Sequence, residues 1–153
     1  MSAPTHLKFT TKRASETKRL GQRIGRFLKA GDVVALVGEL GAGKTTLVKG
    51  IAKGLGVASE EEILSPSFVL IHEYDGREKI YHIDWYRLGS VDGPDRMLAL
   101  ECFHADAVTL VEWADRGSDI LPKEHLQVEI KHQGGNKRQV KISGKFLLRT
   151  KRI

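Results

Sequence analysis

The chain has 153 residues, a formal net charge of +6 and one cysteine. That length suits a single domain over residues 1–153, able to bury about 70% of the surface its unfolded chain would expose. The lone Cys102 excludes an internal disulfide and a cysteine cluster for zinc or iron–sulfur ligation, and no apolar run nears the roughly 18 residues of a membrane span, so the expectation is a cytoplasmic protein without membrane contact.

Leu7 to Thr10 reads as a strand. A helix is expected from about Ser15 to Lys29, because Leu20, Ile24, Phe27 and Leu28 recur at helical spacing, with Ser15 capping its start and Gly31 its end. The apolar run Val33 to Val37 is a buried strand. It runs into Gly38-Glu39-Leu40-Gly41-Ala42-Gly43-Lys44-Thr45, a complete phosphate-binding loop. A helix follows to about Leu55, with Leu47, Ile51 and Leu55 as its apolar stripe and Gly56 as its stop.

Further along, Phe68 to Tyr74 and Lys79 to Asp84 are strand-like around the turn Asp75-Gly76, which predicts an antiparallel hairpin. A short helix around Met97 to Cys102 precedes the strand Val108 to Val111, which Glu112 ends. Strands from Leu126 to Lys131 and Gln139 to Ser143 flank a turn centred on Gly134-Gly135-Asn136. The sum is an α/β fold of the P-loop NTPase kind, a three-layer sandwich with a mixed central β-sheet flanked by helices.

The loop's residue types follow from the chemistry of phosphate. Backbone N–H groups must converge on the anion, and side chains at Gly38, Gly41 and Gly43 would obstruct or strain that arrangement. Lys44 brings an ammonium to the terminal phosphates, Thr45 a hydroxyl for Mg2+, and the helix behind them its positive end. A nucleoside triphosphate is the expected ligand.

Such sites also need a carboxylate at the carboxyl end of a neighbouring strand. Glu112 is the best placed, as a metal ligand beside Thr45. Asp84 is the second acid, able to hold metal through water, to orient the attacking water, or to cap a turn. His82 is read as a structural histidine, Arg87 as a loop salt bridge and Cys102 as a packing residue. Ser65-Pro66-Ser67 suits either a phosphate-sensing switch or an ordinary turn. Trp85 and Trp113, each next to one of the acids, suit base stacking, docking or the core. Basic residues at Lys12-Arg13, Lys18 to Lys29, Lys137-Arg138 and the tail fit an RNA or acidic partner, or a solvated surface.

The ordered set Ser15-Glu16-Thr17, Leu20-Gly21, the loop through Thr46, Ser65-Pro66-Ser67-Phe68, His82-Ile83-Asp84-Trp85-Tyr86-Arg87-Leu88 and Val111-Glu112-Trp113 resembles the TsaE (YjeE) family. That family comprises small ATPases of bacterial tRNA threonylcarbamoyladenosine biosynthesis. The resemblance implies a Mg2+-dependent ATPase, slow alone, that resets a complex of the TsaB and TsaD proteins between turnovers. That complex modifies the adenosine beside the anticodon of ANN-decoding tRNAs, so tRNA is met through it. By the same resemblance Lys44, Thr45, Asp84 and Glu112 fall on the family's nucleotide, magnesium and hydrolysis positions, Thr17 near the nucleotide and Trp113 beside it. Gly38 to Thr46 line the phosphates, including Glu39, Leu40 and Ala42. Three departures stand out: Ser67 replaces a threonine, Glu39 an aspartate, and Trp85 a more common leucine.

Two other functions compete. A small-molecule kinase needs an acceptor pocket and usually a lid, for which the chain has no obvious insertion. A nucleotide-sensing module would bind ATP without independent turnover. A GTPase fits poorly, because Asn136-Lys137-Arg138-Gln139 lacks the acid of a guanine-reading segment.

Overall fold

The computed structural model describes residues 6–59, 61, 63 and 71–144. Within these, strands β1 (His6–Thr11), β2 (Val33–Val37), β3 (Ile71–Asp75), β4 (Lys79–Asp84), β5 (Val108–Glu112), β6 (Leu126–His132) and β7 (Arg138–Ser143) form one sheet in the order β1-β7-β6-β2-β5-β4-β3. Strands β6, β2, β5 and β4 are mutually parallel, while β7, β1 and β3 join antiparallel at the two edges. The sheet is therefore mixed, as the hairpin signal required. Ser65-Pro66-Ser67, Phe68 and the basic tail from Lys145 lie outside the described residues.

Helices α1 (Ala14–Phe27) and α2 (Lys44–Gly54) cover one face, and α3 (Gly93–His104) with a 3-10 segment (Ala114–Ile120) covers the other. Alternation along β2 supplies both cores. Val34 and Leu36 pack under α1 and α2, whereas Val33 and Ala35 pack toward Phe103, Ala114 and the fully buried Trp85. Trp85 is thus a core residue, and its indole Nε1 has no hydrogen-bond partner among the described residues.

Two boundary expectations change. Helix α1 begins after Arg13, so Ser15 sits inside its first turn and caps nothing. The Glu16 carboxylate instead accepts from the Lys12 backbone N–H at 2.6 Å, one residue before the cap. At the other end Leu28 is the cap, and Gly31, in the left-handed region at φ 95°, shapes the turn into β2. Helix α3 is longer than the expected Met97 to Cys102 because Pro94 occupies its first turn, where a missing N–H costs nothing.

Helices α1 and α2 touch backbone to backbone through paired glycines. A Cβ at Gly25 would lie 2.2 Å from the Ile51 carbonyl oxygen, and one at Gly54 would lie 2.2 Å from that of Gln22. Gly21 and Gly50 make the same kind of approach from one helical turn away. This contact fixes α2, and with it the direction in which its N-terminus points. Arg77 reinforces it from the β3–β4 turn, donating to the Gly25 and Leu28 carbonyls at the C-terminal end of α1.

Candidate nucleotide site

The loop after β2 turns sharply twice in the left-handed region, at Gly41 (φ 77°) and Gly43 (φ 109°). Both conformations favour glycine. Gly38 is required for a different reason: a Cβ there would meet the Ile130 carbonyl at 2.6 Å. The loop therefore delivers the N-terminus of α2, with its unpaired N–H groups and positive dipole end, to the carboxyl end of the parallel strands.

Leu40, Gly41, Gly43, Lys44, Thr45, Thr46, Asp84, Tyr86, Glu112, Trp113 and Arg138 line a cavity of about 320 Å³ there. Gly38 and Glu39 face a neighbouring cavity of about 420 Å³, which Trp113 borders as well. The buried Ala42 lies in the loop wall, its carbonyl turned to Arg138. Thr17 is not part of this lining. It is buried in α1, with its hydroxyl 2.7 Å from that of Thr11.

The two acids come together through strand register. Asp84 and Glu112 are directly paired residues at the ends of β4 and β5. Glu112 is 2% exposed and accepts from the Thr45 hydroxyl at 3.1 Å through Oε1. Its Oε2 is 2.6 Å from Nε2 of the buried His82, and the Tyr74 hydroxyl lies 3.4 Å from the ring's other nitrogen. With the proton on Nε2, His82 donates to Glu112 and accepts from Tyr74, so the carboxylate is held on both oxygens. Asp84 is less buried and accepts from the Tyr86 backbone N–H at 2.9 Å, an Asx turn at the strand exit. The hydroxyl and two carboxylates are hard oxygen donors suited to Mg2+, which completes its shell with water and ligand oxygens. Among the described residues no group of three or more His, Cys, Asp and Glu forms an all-protein cage.

Lys44 is folded onto its own loop. Its Nζ donates to the Gly38 and Glu39 carbonyls at 2.5 and 2.7 Å and lies 4.3 Å from the centre of the Trp113 ring. Burial pulls this ammonium below the usual lysine range, opposed by the negative charges of Glu112, Asp84, Asp115 and Glu39.

Trp113 occupies its place through an unusual backbone, being the one described residue other than glycine with positive φ (58°). Strain of this kind costs about 1–3 kcal/mol and persists where surrounding contacts hold it. The Arg116 guanidinium lies 5.0 Å from the Trp113 ring and donates to the Tyr86 and Leu88 carbonyls at 2.6 and 2.7 Å. It ties the β5 exit to the β4 exit. Neither Arg116 nor Arg138 carried a sequence signal for this site: Arg138 stood only within a basic patch. Cys102 lies in the α3 core, where burial pushes its thiol up, consistent with packing.

The chain matches the family model "Threonylcarbamoyl adenosine biosynthesis protein TsaE" over residues 11–140. That span runs from the end of β1 into β7 and contains the whole cavity lining. The chain belongs to the TsaE family. It is 43% identical over 135 residues to the TsaE protein of Bacillus subtilis (strain 168), an alignment covering 88% of this chain and 83% of the relative. To the TsaE protein of Treponema pallidum (strain Nichols) it is 37% identical over 137 residues, covering 90% of this chain and all of the relative, 100%. The crystal structure of Bacillus subtilis YdiB superposes with a TM-score of 0.74 at 39% identity, covering 94% of this chain and 88% of that one. Family membership rests on the sequence matches, and the YdiB superposition agrees in fold. No helix among the described residues is long and apolar enough to cross a membrane.

Proposed function

We propose that this TsaE-family chain binds and hydrolyses Mg2+-ATP and, acting on a TsaB–TsaD complex, sustains threonylcarbamoyl modification of the adenosine next to the anticodon. The observation that carries the ATPase reading is the convergence of Lys44, Thr45, Asp84 and Glu112 on one cavity at the N-terminus of α2.

Lys44 leaves the Gly38 and Glu39 carbonyls for the β and γ phosphates, whose charge its ammonium offsets. The loop N–H groups and the end of α2 bind the remaining phosphate oxygens. Thr45 and Glu112 would hold Mg2+, which when bound offsets charge on the phosphate oxygens. His82 keeps Glu112 oriented toward Thr45. Asp84, one strand over, accepts a hydrogen bond from the attacking water and directs it at the γ phosphate. Turnover by the chain alone is slow. A partner that completes the site raises it, as charge supplied in trans can raise phosphoryl transfer about 10³- to 10⁵-fold.

The family relationship supports the pathway, in which the chain works on a separate enzyme and meets tRNA through it. The test is a reconstituted modification reaction with the cognate TsaB and TsaD proteins, tRNA and the threonylcarbamoyl donor. Repeated turnover should require this chain and fail with Lys44→Ala. Equal product formation with and without the chain would refute the role.

A further inference from the structure

Arg138 reaches the phosphate loop from far along the chain. It is the first residue of β7, paired in register with His132 across the β6–β7 turn. Its Nε donates to the Ala42 carbonyl at 2.8 Å and Nη2 to the Gly41 carbonyl at 3.4 Å. Nη1 is held at the other end by the Gly135 and Lys137 carbonyls, each at 3.1 Å. The guanidinium is thus a planar bracket between the hairpin turn and the loop, using the fixed fork of donors that only arginine has.

The place where it grips is the part of the loop with the most conformational freedom. Ala42 lies between Gly41 and Gly43, both in the left-handed region, and glycine loses more backbone entropy on ordering than any other residue. A trans peptide points its C=O and N–H in opposite directions. Fixing the Ala42 carbonyl on Arg138 therefore aims the Gly43 N–H away from the guanidinium, into the concave side of the loop. The loop's internal bonds, from the Ala42 N–H to the Glu39 carbonyl at 3.0 Å and from Lys44 Nζ to the Gly38 and Glu39 carbonyls, leave the Ala42–Gly43 peptide untouched.

We propose that Arg138 is a positioning residue for the phosphate loop, holding the Ala42–Gly43 peptide in its anion-binding orientation before nucleotide arrives. The proposal rests on the nucleotide reading of the site and adds to it a residue acting through backbone carbonyls. Because the loop's N–H groups serve ADP and ATP alike, the contribution is the same for both nucleotides.

The test uses the full chain with Arg138→Met, which keeps bulk but no donors, and Arg138→Lys, which keeps charge but not the fork. In nucleotide-free protein, amide hydrogen exchange from Gly43 to Thr46 should be faster in both variants than in wild type, while exchange in β2 and β5 stays the same. ADP and ATP should both bind about tenfold more weakly to both variants, the scale of one lost hydrogen-bonded restraint. Unchanged loop exchange in Arg138→Met would overturn the proposal even if nucleotide binds as expected. Wild-type affinity in Arg138→Lys, or a loss confined to ATP, would also overturn it, by making the arginine a charge near the γ phosphate. Wild-type protein that binds neither nucleotide would instead refute the nucleotide reading, and the exchange experiment would still judge the bracket.

Discussion

His82 and Glu112 meet at 2.6 Å, Nε2 to Oε2, with both side chains buried between β4, β5 and α2. The contact fixes the rotamer of the acid that also accepts from Thr45. Removing the imidazole leaves a buried carboxylate oxygen without its donor, at a cost of about 1–3 kcal/mol. His82→Leu, which fills most of the volume without a donor, should therefore lower unfolding free energy by about 1–3 kcal/mol. Urea titration checks this, and wild-type stability would mean that Glu112 is not held by the ring.

Glu112 and Asp84 are paired in register but differ in surroundings, and their variants should separate. Glu112→Gln should reduce the dependence of ATP binding on magnesium. Asp84→Asn should keep magnesium-dependent binding while slowing hydrolysis by roughly 10²-fold or more, the scale of a lost general base. Isothermal titration with and without magnesium, beside single-turnover phosphate release, distinguishes them. An interchange of the two phenotypes would exchange the roles.

The Lys44 ammonium lies over the Trp113 ring at 4.3 Å. On the proposed function nucleotide would draw it away, so tryptophan emission should change on adding ADP or ATP. The response should vanish in Trp113→Phe, where the remaining indole is the core residue Trp85. A full response in that variant would place the moving charge elsewhere.

The α1–α2 glycine contact sets the direction of the helix behind the loop. Gly54→Ala drives a methyl onto the Gln22 carbonyl at 2.2 Å and should destabilise by at least about 1–3 kcal/mol. Gly89→Ala, whose Cβ meets nothing within 4 Å, should stay within about 0.5 kcal/mol of wild type. Thermal unfolding of the pair provides the comparison, and equal midpoints would show that the helices separate at little cost.

What could be read from the sequence was what neighbouring residues determine. Strand β2, its glycine loop and α2 are contiguous, and four strand-forming residues before Glu112 placed that acid at a strand end. The β3–β4 hairpin was legible through Asp75-Gly76. Ser15 misled because serine favours helix starts, while the chain enters α1 two residues earlier, at Arg13. The rest depends on distant segments. Arg138 contacts Ala42 across 96 positions, and nothing in a basic patch distinguishes the one guanidinium that turns inward. The left-handed backbone of Trp113 and the partnership of His82 with Glu112 likewise exist only once β4 and β5 pair.

The most direct test of the central claim is phosphate release from Mg2+-ATP by the purified chain, alone and with its cognate TsaB and TsaD proteins, with Lys44→Ala as control. The account predicts slow release that rises with the partners and disappears in the variant. Release equal in wild type and Lys44→Ala, or no release in any mixture of folded proteins, would contradict it.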